Sequence, residues 1–223
     1  YHIVSQVGYM IAGVGIATSL AVDGALAHLV NNVLYKSLLF MIAGVVVLRT
    51  GREGLKDVDG RGRAMPAVAA AFAVAAFAIA GVPGFSGFVS KALVVDAAEA
   101  AGADALWWAL VVGGVGTVVS FAKFGYYVFF HGPANETPTR GAVGTESQSS
   151  RAAQAVALAA LAVPCVAFGV APDLLFALLP GGGVGAEPFA LSQFTKAGAT
   201  LTAGLVAFVL LRGPLGRLPV VPD

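Results

Sequence analysis

Charged residues are scarce in this chain. Only 11% of its 223 residues are charged, whereas 58% are hydrophobic and the mean hydropathy is +0.85. A soluble globular domain carries about 25% charged residues, so this composition cannot cover a water-exposed surface and excludes a soluble domain. The net charge of +1 provides no basic surface, so no nucleic-acid partner is predicted.

Cysteine and histidine are also rare. The single cysteine, Cys165, excludes a disulfide framework and a paired-thiol site. Three histidines are too few and too scattered for a metal site or a redox centre. The glycine-rich run at 181–185 lacks the lysine and the strand–helix context of a phosphate-binding loop. The sequence therefore predicts no cofactor and no metal, and a chain that is not an enzyme by itself.

Apolar runs of about 20 residues are abundant, which is the length that spans a hydrocarbon core about 30 Å thick. They lack the period-2 alternation of barrel strands, so an all-α integral membrane protein is predicted. The predicted spans are 1–21, 24–48, 65–98, 105–130, 152–171 and 197–212. Because the chain starts with Tyr1 inside an apolar segment, we expect a C-terminal piece of a longer membrane protein.

Basic residues alternate between the loops. Arginine and lysine occur in the loops 49–63 and 131–151 and in the C-terminal tail. The connections around Asp23 and from Glu99 to Asp104 contain neither. By the positive-inside rule, this alternation predicts six crossings of the plasma membrane, with both basic loops and the C-terminus in the cytoplasm.

The segment 65–98 is too long for a simple span and contains GVPGFSG at 81–87. Pro83 lacks a backbone N–H, and glycine destabilises a helix interior, so we expect one interrupted helix that crosses once. A break inside a bilayer requires protein or a wet cavity around it, and transporters place ion sites at such breaks. The alternative is a turn between two short spans, which would disrupt the alternation of basic loops.

Lys36 lies in HLVNNVLYKSLLF, twelve residues from either end of the predicted span 24–48. A lysine that deep cannot snorkel, and an ionisable group there marks a functional site by default. Burial disfavours the charged amine, so Lys36 is predicted to exchange protons near neutral pH. His28, Asn32 and Lys36 recur every four residues, which predicts a polar helix face and a proton relay. The alternatives are a lysine paired with a carboxylate elsewhere and an interfacial histidine.

Other charged residues have weaker signals. Lys91 follows the break and is the second predicted relay lysine, with a water-facing lysine in a re-entrant turn as its alternative. Lys123 lies about two turns from the end of its span, where its ammonium can reach the membrane surface by snorkelling. A relay role for Lys123 is the alternative. Asp96, Glu99 and Asp104 are predicted to be solvated at the outer ends of their spans, where Asp96 could form part of an exit.

Four sequence features occur together: YHIVSQVGYMIAG, H-x7-K-x-LLF-x3-G, a basic loop ending in MP, and GVPGFSGFVSK. In this combination the chain resembles the proton-pumping antiporter-like membrane subunits of respiratory complex I and of Mrp-type multisubunit Na+/H+ antiporters. Its opening is most similar to the D-type branch of the antiporter subunits. The resemblance covers residues 1–130 well and 131–172 as a span pattern only.

The resemblance implies a second five-helix repeat, with residues 1–172 in the conducting domain and 173–223 as a poorly matched connection, final span and tail. Lys36 would match the buried relay lysine of the family, Lys91 the lysine at the broken helix, and His28 a relay histidine. Asn32 stands where several members carry a second histidine, so a bound water would have to bridge there. Ala92 replaces an acid that often follows the lysine.

Three functions follow as alternatives. The first is a membrane subunit of a monovalent cation/proton antiporter, with H+ and Na+ or K+ as the transported ions. The second is a proton-translocating subunit of an NADH–quinone oxidoreductase or a membrane-bound hydrogenase. The third is a non-conducting scaffold. In each case the expected partners are other membrane subunits and a chain that supplies the first repeat, which this sequence lacks.

Overall fold

The structure, a computed structural model, describes residues 2–54, 58, 61–131, 148–183 and 185–217. All regular elements in these ranges are helical, which confirms the all-α prediction. The helices are α1 (His2–Ile16), α2 (Ser19–Thr50), α3 (Pro66–Ala80), α4 (Ser86–Ala100), α5 (Asp104–Gly125), α6 (Gln148–Val170), α7 (Asp173–Phe176) and α8 (Leu191–Arg217). A 3₁₀ turn (Arg61–Ala64) precedes α3, and a π-helical turn (Tyr126–Phe130) continues α5.

Within the described ranges, four helices are long and apolar enough to cross a membrane by length and composition. They are Ser19–Thr50, Asp104–Phe130, Gln148–Val170 and Leu191–Leu211. The apolar helices Ile3–Ile16 and Pro66–Ala80 are shorter. Most of the predicted loop 131–151, five residues of the loop 49–63 and the tail from 218 lie outside the described residues.

The first two predicted spans have different boundaries in the structure. α1 ends at Ile16 because Ala17 adopts a left-handed backbone with φ of 60°, where an α-helix cannot continue. The hydroxyl of Thr18 then accepts a hydrogen bond from the Ala21 amide at 3.2 Å and caps α2. α2 runs for 32 residues without interruption, so it is about 48 Å long.

Asp23 therefore lies inside α2 and not in a connection as predicted. Its side chain is buried, and its two carboxylate oxygens accept hydrogen bonds from the amides of Gly181 (2.9 Å) and Gly183 (2.8 Å). A buried carboxylate requires such partners. These bonds fix the glycine-rich connection before α8 to the N-terminal end of α2.

The predicted interruption lies at residues 81–85, between α3 and α4. Gly81 and Gly84 both adopt left-handed φ values, 82° and 87°, which L-residues with a Cβ rarely adopt. Just beyond the end of α3, the amides of Gly81 and Val82 both bond to the Phe77 carbonyl oxygen. The break thus has a defined turn geometry that requires its glycines.

α3 and α4 lie end to end along α2. Going up α2, Gly24 lies against Leu93 and Val94, His28 bonds to Ser90, and Asn31 bonds to the Ser86 carbonyl oxygen. Further up, α2 shares one apolar cluster with the C-terminal end of α3 and another with the N-terminal end of α3. The residue numbers of these partners fall steadily as the residue numbers of α2 rise. Both short helices therefore run antiparallel to α2 as one interrupted segment.

Among the described residues the buried apolar side chains form four clusters, and two of these lie at opposite halves of α2 with a polar layer between them. One region surrounds the C-terminal half of α2 and includes Leu38, Ile42 and Phe72. The other lies around the N-terminal half of α2, where Leu175 of α7 packs against Phe88 of α4. The layer between them holds the buried polar side chains Gln6, His28, Asn31, Ser86, Ser90, Lys91 and Thr117. The helix break thus lies in the polar layer of the structure.

Candidate functional site

His28 is the centre of a buried hydrogen-bond network. Its Nδ1 lies 3.0 Å from Ser90 Oγ on α4, and its Nε2 lies 3.1 Å from Gln6 Oε1 on α1. The Tyr35 hydroxyl donates to the same Gln6 oxygen at 3.2 Å and lies 3.4 Å from His28 Nε2. Because three helices supply the partners and His28 is fully buried, the imidazole is held in one orientation, and the alternative of an interfacial histidine does not fit.

The partners of His28 allow a change of protonation. Gln6 Oε1 is an acceptor only, so Nε2 bonds to it as an N–H donor. At Nδ1 the Ser90 hydroxyl can donate to a neutral imidazole or accept from an imidazolium. Ser90 Oγ also lies 3.5 Å from the Gly87 carbonyl oxygen, which can take the hydroxyl proton when Nδ1 is protonated. A rotation of the hydroxyl can thus accompany proton gain at His28.

Lys91 is buried at the break itself. Its Nζ donates to the Ile79 carbonyl oxygen at 2.6 Å, one of the last carbonyls of α3 that the helix end leaves without an intrahelical partner. The Nζ atom also lies 5.3 Å from the ring centroid of Tyr9, within the range of a cation–π contact. A positive charge is favoured by both groups, and the position does not fit a lysine facing bulk water.

Tyr9 separates the two predicted relay groups. The centroid of the Tyr9 ring is 5.1 Å from that of the His28 ring, and the other neighbour of the Tyr9 ring is Lys91. The Tyr9 hydroxyl donates to the Leu110 carbonyl oxygen. His28 and Lys91 therefore belong to one cluster without a direct hydrogen bond between them.

Lys36 and Asn32 do not join this network. Lys36 is half-buried and has no hydrogen bond or ion pair with any described residue, whereas Asn32 has a buried Oδ1 atom that lacks a partner within the same ranges. Asn31, predicted only to widen the face, instead donates to the Ser86 carbonyl oxygen at 2.8 Å. The predicted line from His28 through Asn32 to Lys36 is not a chain of direct hydrogen bonds.

Two of the acidic residues beyond the break, Asp96 and Glu99, have partners on α8 that the sequence did not indicate, whereas Asp104 is exposed. Lys196 of α8 forms ion pairs with Asp96 Oδ1 at 2.9 Å and with Glu99 Oε2 at 2.5 Å. Gln193 of α8 donates to the other Asp96 oxygen. Lys123 is half-buried near the end of α5 and has no bond to a described residue, as a snorkelling lysine would.

Four residues of this cluster were not predicted from the sequence: Gln6, Tyr9, Tyr35 and Thr117. Gln6 is fully buried, and its Nε2 donates to Thr117 Oγ1 at 3.4 Å. A glutamine within an apolar segment is a signal in its own right, because polar side chains inside membranes hydrogen-bond across helices. Tyr9 and Tyr35 carry no such signal, since tyrosine is common in apolar segments.

The arrangement can hold and move protons. It contains an imidazole with two polar partners, an ammonium at a helix break, and hydroxyl groups that can both donate and accept. No cluster of three or more His, Cys, Asp or Glu side chains suited to a metal ion occurs in the described part of the chain. Proton transfer is the chemistry that these groups support.

Residues 1–119 match the family profile described as "NADH:quinone oxidoreductase/Mrp antiporter, TM". The D-type subunit of the Na+/H+ antiporter of Alkalihalophilus pseudofirmus is 42% identical over 98 residues, which are 44% of this chain and 20% of that protein. The L-type subunit of the F420H2 dehydrogenase of Methanosarcina mazei is 36% identical over 117 residues, which are 48% of this chain and 17% of that protein.

The fold is similar to a chain in the structure of the Mrp complex from Dietzia sp. DQ12-45-1b. The TM-score is 0.68 at 25% sequence identity, and the similarity covers 90% of this chain and 43% of that chain. The present chain thus spans less than half the length of the solved relative and about a fifth of the curated ones.

Proposed function

Because the chain belongs to the NADH:quinone oxidoreductase/Mrp antiporter transmembrane family, we propose that it is a membrane subunit of a multisubunit monovalent cation/proton antiporter. It carries part of the proton path. The observation that carries this proposal is Lys91, a buried ammonium at a helix break beside the His28 network. A buried charge is costly, and its retention at a break inside an apolar protein indicates a functional demand.

The steps of transfer follow from the contacts. His28 takes up a proton at Nδ1 while the Ser90 hydroxyl turns from Nδ1 toward the Gly87 carbonyl oxygen. Lys91 loses a proton to an acceptor beside it, which also weakens its bond to the Ile79 oxygen. Movement of a proton from His28 to Lys91 around Tyr9 then restores both groups. Asn32 and Lys36 belong to the inlet side of the path.

The topology is part of the proposal. The chain crosses the plasma membrane six times, and α3 and α4 together form one of these crossings. The loops 49–63 and 131–151 and the C-terminus then lie in the cytoplasm. The alternation of basic loops and the end-to-end contacts of α3 and α4 along α2 support this assignment. Residues 1–172 form the conducting repeat, residues 173–223 the connection, last span and tail, and other membrane subunits complete the path.

A redox-driven complex is the second candidate, favoured by the similarity to the F420H2 dehydrogenase protein. The same residues would move protons, but electron transfer in another subunit would drive them. The purified complex in proteoliposomes distinguishes the two. In an antiporter, an Na+ or K+ gradient alone moves protons, whereas a redox pump requires an electron donor and quinone.

Replacing Lys36 by alanine is expected to reduce cation-driven proton movement by about 100-fold, the usual scale for losing a proton-transfer group. Lys36 is half-buried without a polar partner among the described residues, so its loss removes no hydrogen bond or ion pair there and the complex should assemble normally. Dequenching of a pH-sensitive dye in everted vesicles measures the transport. The matched control is Ser37→Ala, at the next residue of α2, which should transport normally. Normal transport by Lys36→Ala would exclude Lys36 from the path.

A further inference from the structure

A cavity of about 70 Å³ connects Lys91 to the ion-pair cluster on α8. Lys91 and Tyr9 line this cavity together with Gln193 and Lys196 of α8. The rest of its wall is mostly apolar and comes chiefly from α4, α5 and α8. At about 30 Å³ per water molecule, the cavity has room for at least two waters. A short water chain therefore fits between the buried ammonium and the cluster.

The ion-pair cluster lies beside this cavity, which Lys196 and Gln193 help to line. Glu99 stands about two helical turns after Lys91 on α4, rotated by about 80° around the helix axis. Lys196 reaches across from α8 and bonds to Asp96 and Glu99. Its side chain is 29% exposed and that of Glu99 is 58% exposed, so the cluster borders the surroundings while Lys91 is enclosed. Nothing in the sequence of the last span indicated such a role.

We propose that Lys196 is the gate of the outlet that serves Lys91, an inference that rests on the proposed transport function. While Lys196 binds Asp96 and Glu99, α8 is held against α4 and the passage beside the cavity stays narrow. When Lys91 releases a proton through the cavity water to the Glu99 carboxylate, an N–H bond breaks and an O–H bond forms. The product pair is a neutral amine and a neutral acid. The neutral acid no longer attracts Lys196, so only Asp96 still holds that ammonium. The contact between α8 and α4 loosens, and the proton leaves.

The alternative is that Lys196 only packs α8 against α4. Ion pairs that are partly exposed contribute little to stability, so a packing role gives no reason for two carboxylates around one ammonium. A gate depends on the charge of residue 196 and on the opposite charges of its partners. Packing depends on its volume.

Accessibility of the cavity wall tests the gate without using transport. In the full-length chain within its assembled complex, Cys165→Ala removes the native thiol and Val95→Cys places one on the cavity wall. A membrane-impermeant maleimide should label residue 95 slowly, and Lys196→Met should raise the labelling rate at least tenfold. Lys196→Arg keeps the charge and should stay within twofold. The control Thr195→Val, an exposed position of α8, should also stay within twofold. An unchanged rate with Lys196→Met would overturn the proposal.

A charge exchange separates gating from packing. Lys196→Glu should label at least as fast as Lys196→Met, and adding Glu99→Lys should bring the rate back to within threefold of the parent. Failure of this rescue, with the complex assembled, would exclude a charge-based gate.

Transport of Lys91→Arg is measured in the same vesicles. If that variant transports normally, the proposed function fails whatever the labelling shows; if it is inactive and labelling is insensitive to residue 196, only the gate fails.

Discussion

Replacing Lys91 by arginine is expected to leave the complex assembled and to reduce cation-driven proton movement about 100-fold. Arginine keeps the positive charge and can donate to the Ile79 carbonyl oxygen, as the lysine does at 2.6 Å. Its guanidinium does not release a proton under any relevant condition, and the loss of a proton-transfer group costs about 10²–10⁴-fold in rate. Dye dequenching in proteoliposomes that contain the purified complex measures the effect.

This variant separates a capping role of the Lys91 ammonium from its proposed role as a proton relay. As a cap on the C-terminal end of α3, Lys91 stabilises the break through its charge, and arginine would serve. As a relay, it must lose its proton. Lys91→Met removes both roles and should lower the amount of assembled complex as well. If Lys91→Arg keeps more than half of the transport rate, Lys91 is a structural cap and the relay assignment is wrong.

Replacing Gly87 by alanine is expected to destabilise the protein by about 3 kcal/mol, the upper end of the usual overpacking cost. A Cβ atom at Gly87 would overlap the carbonyl oxygen of Ala78, so α4 cannot approach the end of α3 as closely as it does. The same shift would move Ser90 and Lys91 away from their partners. Thermal inactivation of the detergent-solubilised complex, followed by the fraction that remains assembled, measures the effect.

Gly113→Ala is the matched control for this change. Gly113 is also a helical glycine, but a Cβ built there meets no atom within 4 Å. Alanine is favoured over glycine in a helix by about 1 kcal/mol, so this control should be as stable as the parent or slightly more. Equal stability of Gly87→Ala and Gly113→Ala would show that α3 and α4 do not meet closely at the break.

Local signals in the sequence predicted the break and the polar residues near it. Pro83 and its neighbouring glycines interrupt any helix. Lys91 comes five residues after Ser86, where α4 begins, so it had to lie in the first turns of α4. The depth of His28 and Lys36 within α2 also follows from counting along one helix. These predictions needed no knowledge of which helices are neighbours.

The predicted stripe on α2 shows where local counting becomes inaccurate. Four residues turn a helix by about 400°, so each such step rotates the face by about 40°. From His28 to Lys36 the rotation is about 80°, which takes the side chain from the interior to the flank of the buried face. His28 is accordingly fully buried and Lys36 half-buried, and the residues between them do not form one line.

Contacts between distant helices could not be predicted from a single sequence. Gln6 meets His28 across the turn between α1 and α2, and Lys196 meets Asp96 across 100 residues of chain. Such pairs depend on the crossing of two helices, which the residue types alone do not determine. The ion pairs of α8 were missed for this reason, although the sequence does predict Asp96 as a possible part of an exit.

The central claim is that the buried lysines of this chain conduct protons, and the variant Lys36→Ala/Lys91→Arg tests it most directly. Its complex is purified, reconstituted in proteoliposomes and exposed to an imposed Na+ or K+ gradient, with the parent complex in parallel. We predict that proton movement falls to the rate of empty liposomes while the complex stays assembled. Transport at the parent rate would contradict the claim and would leave the chain as a scaffold.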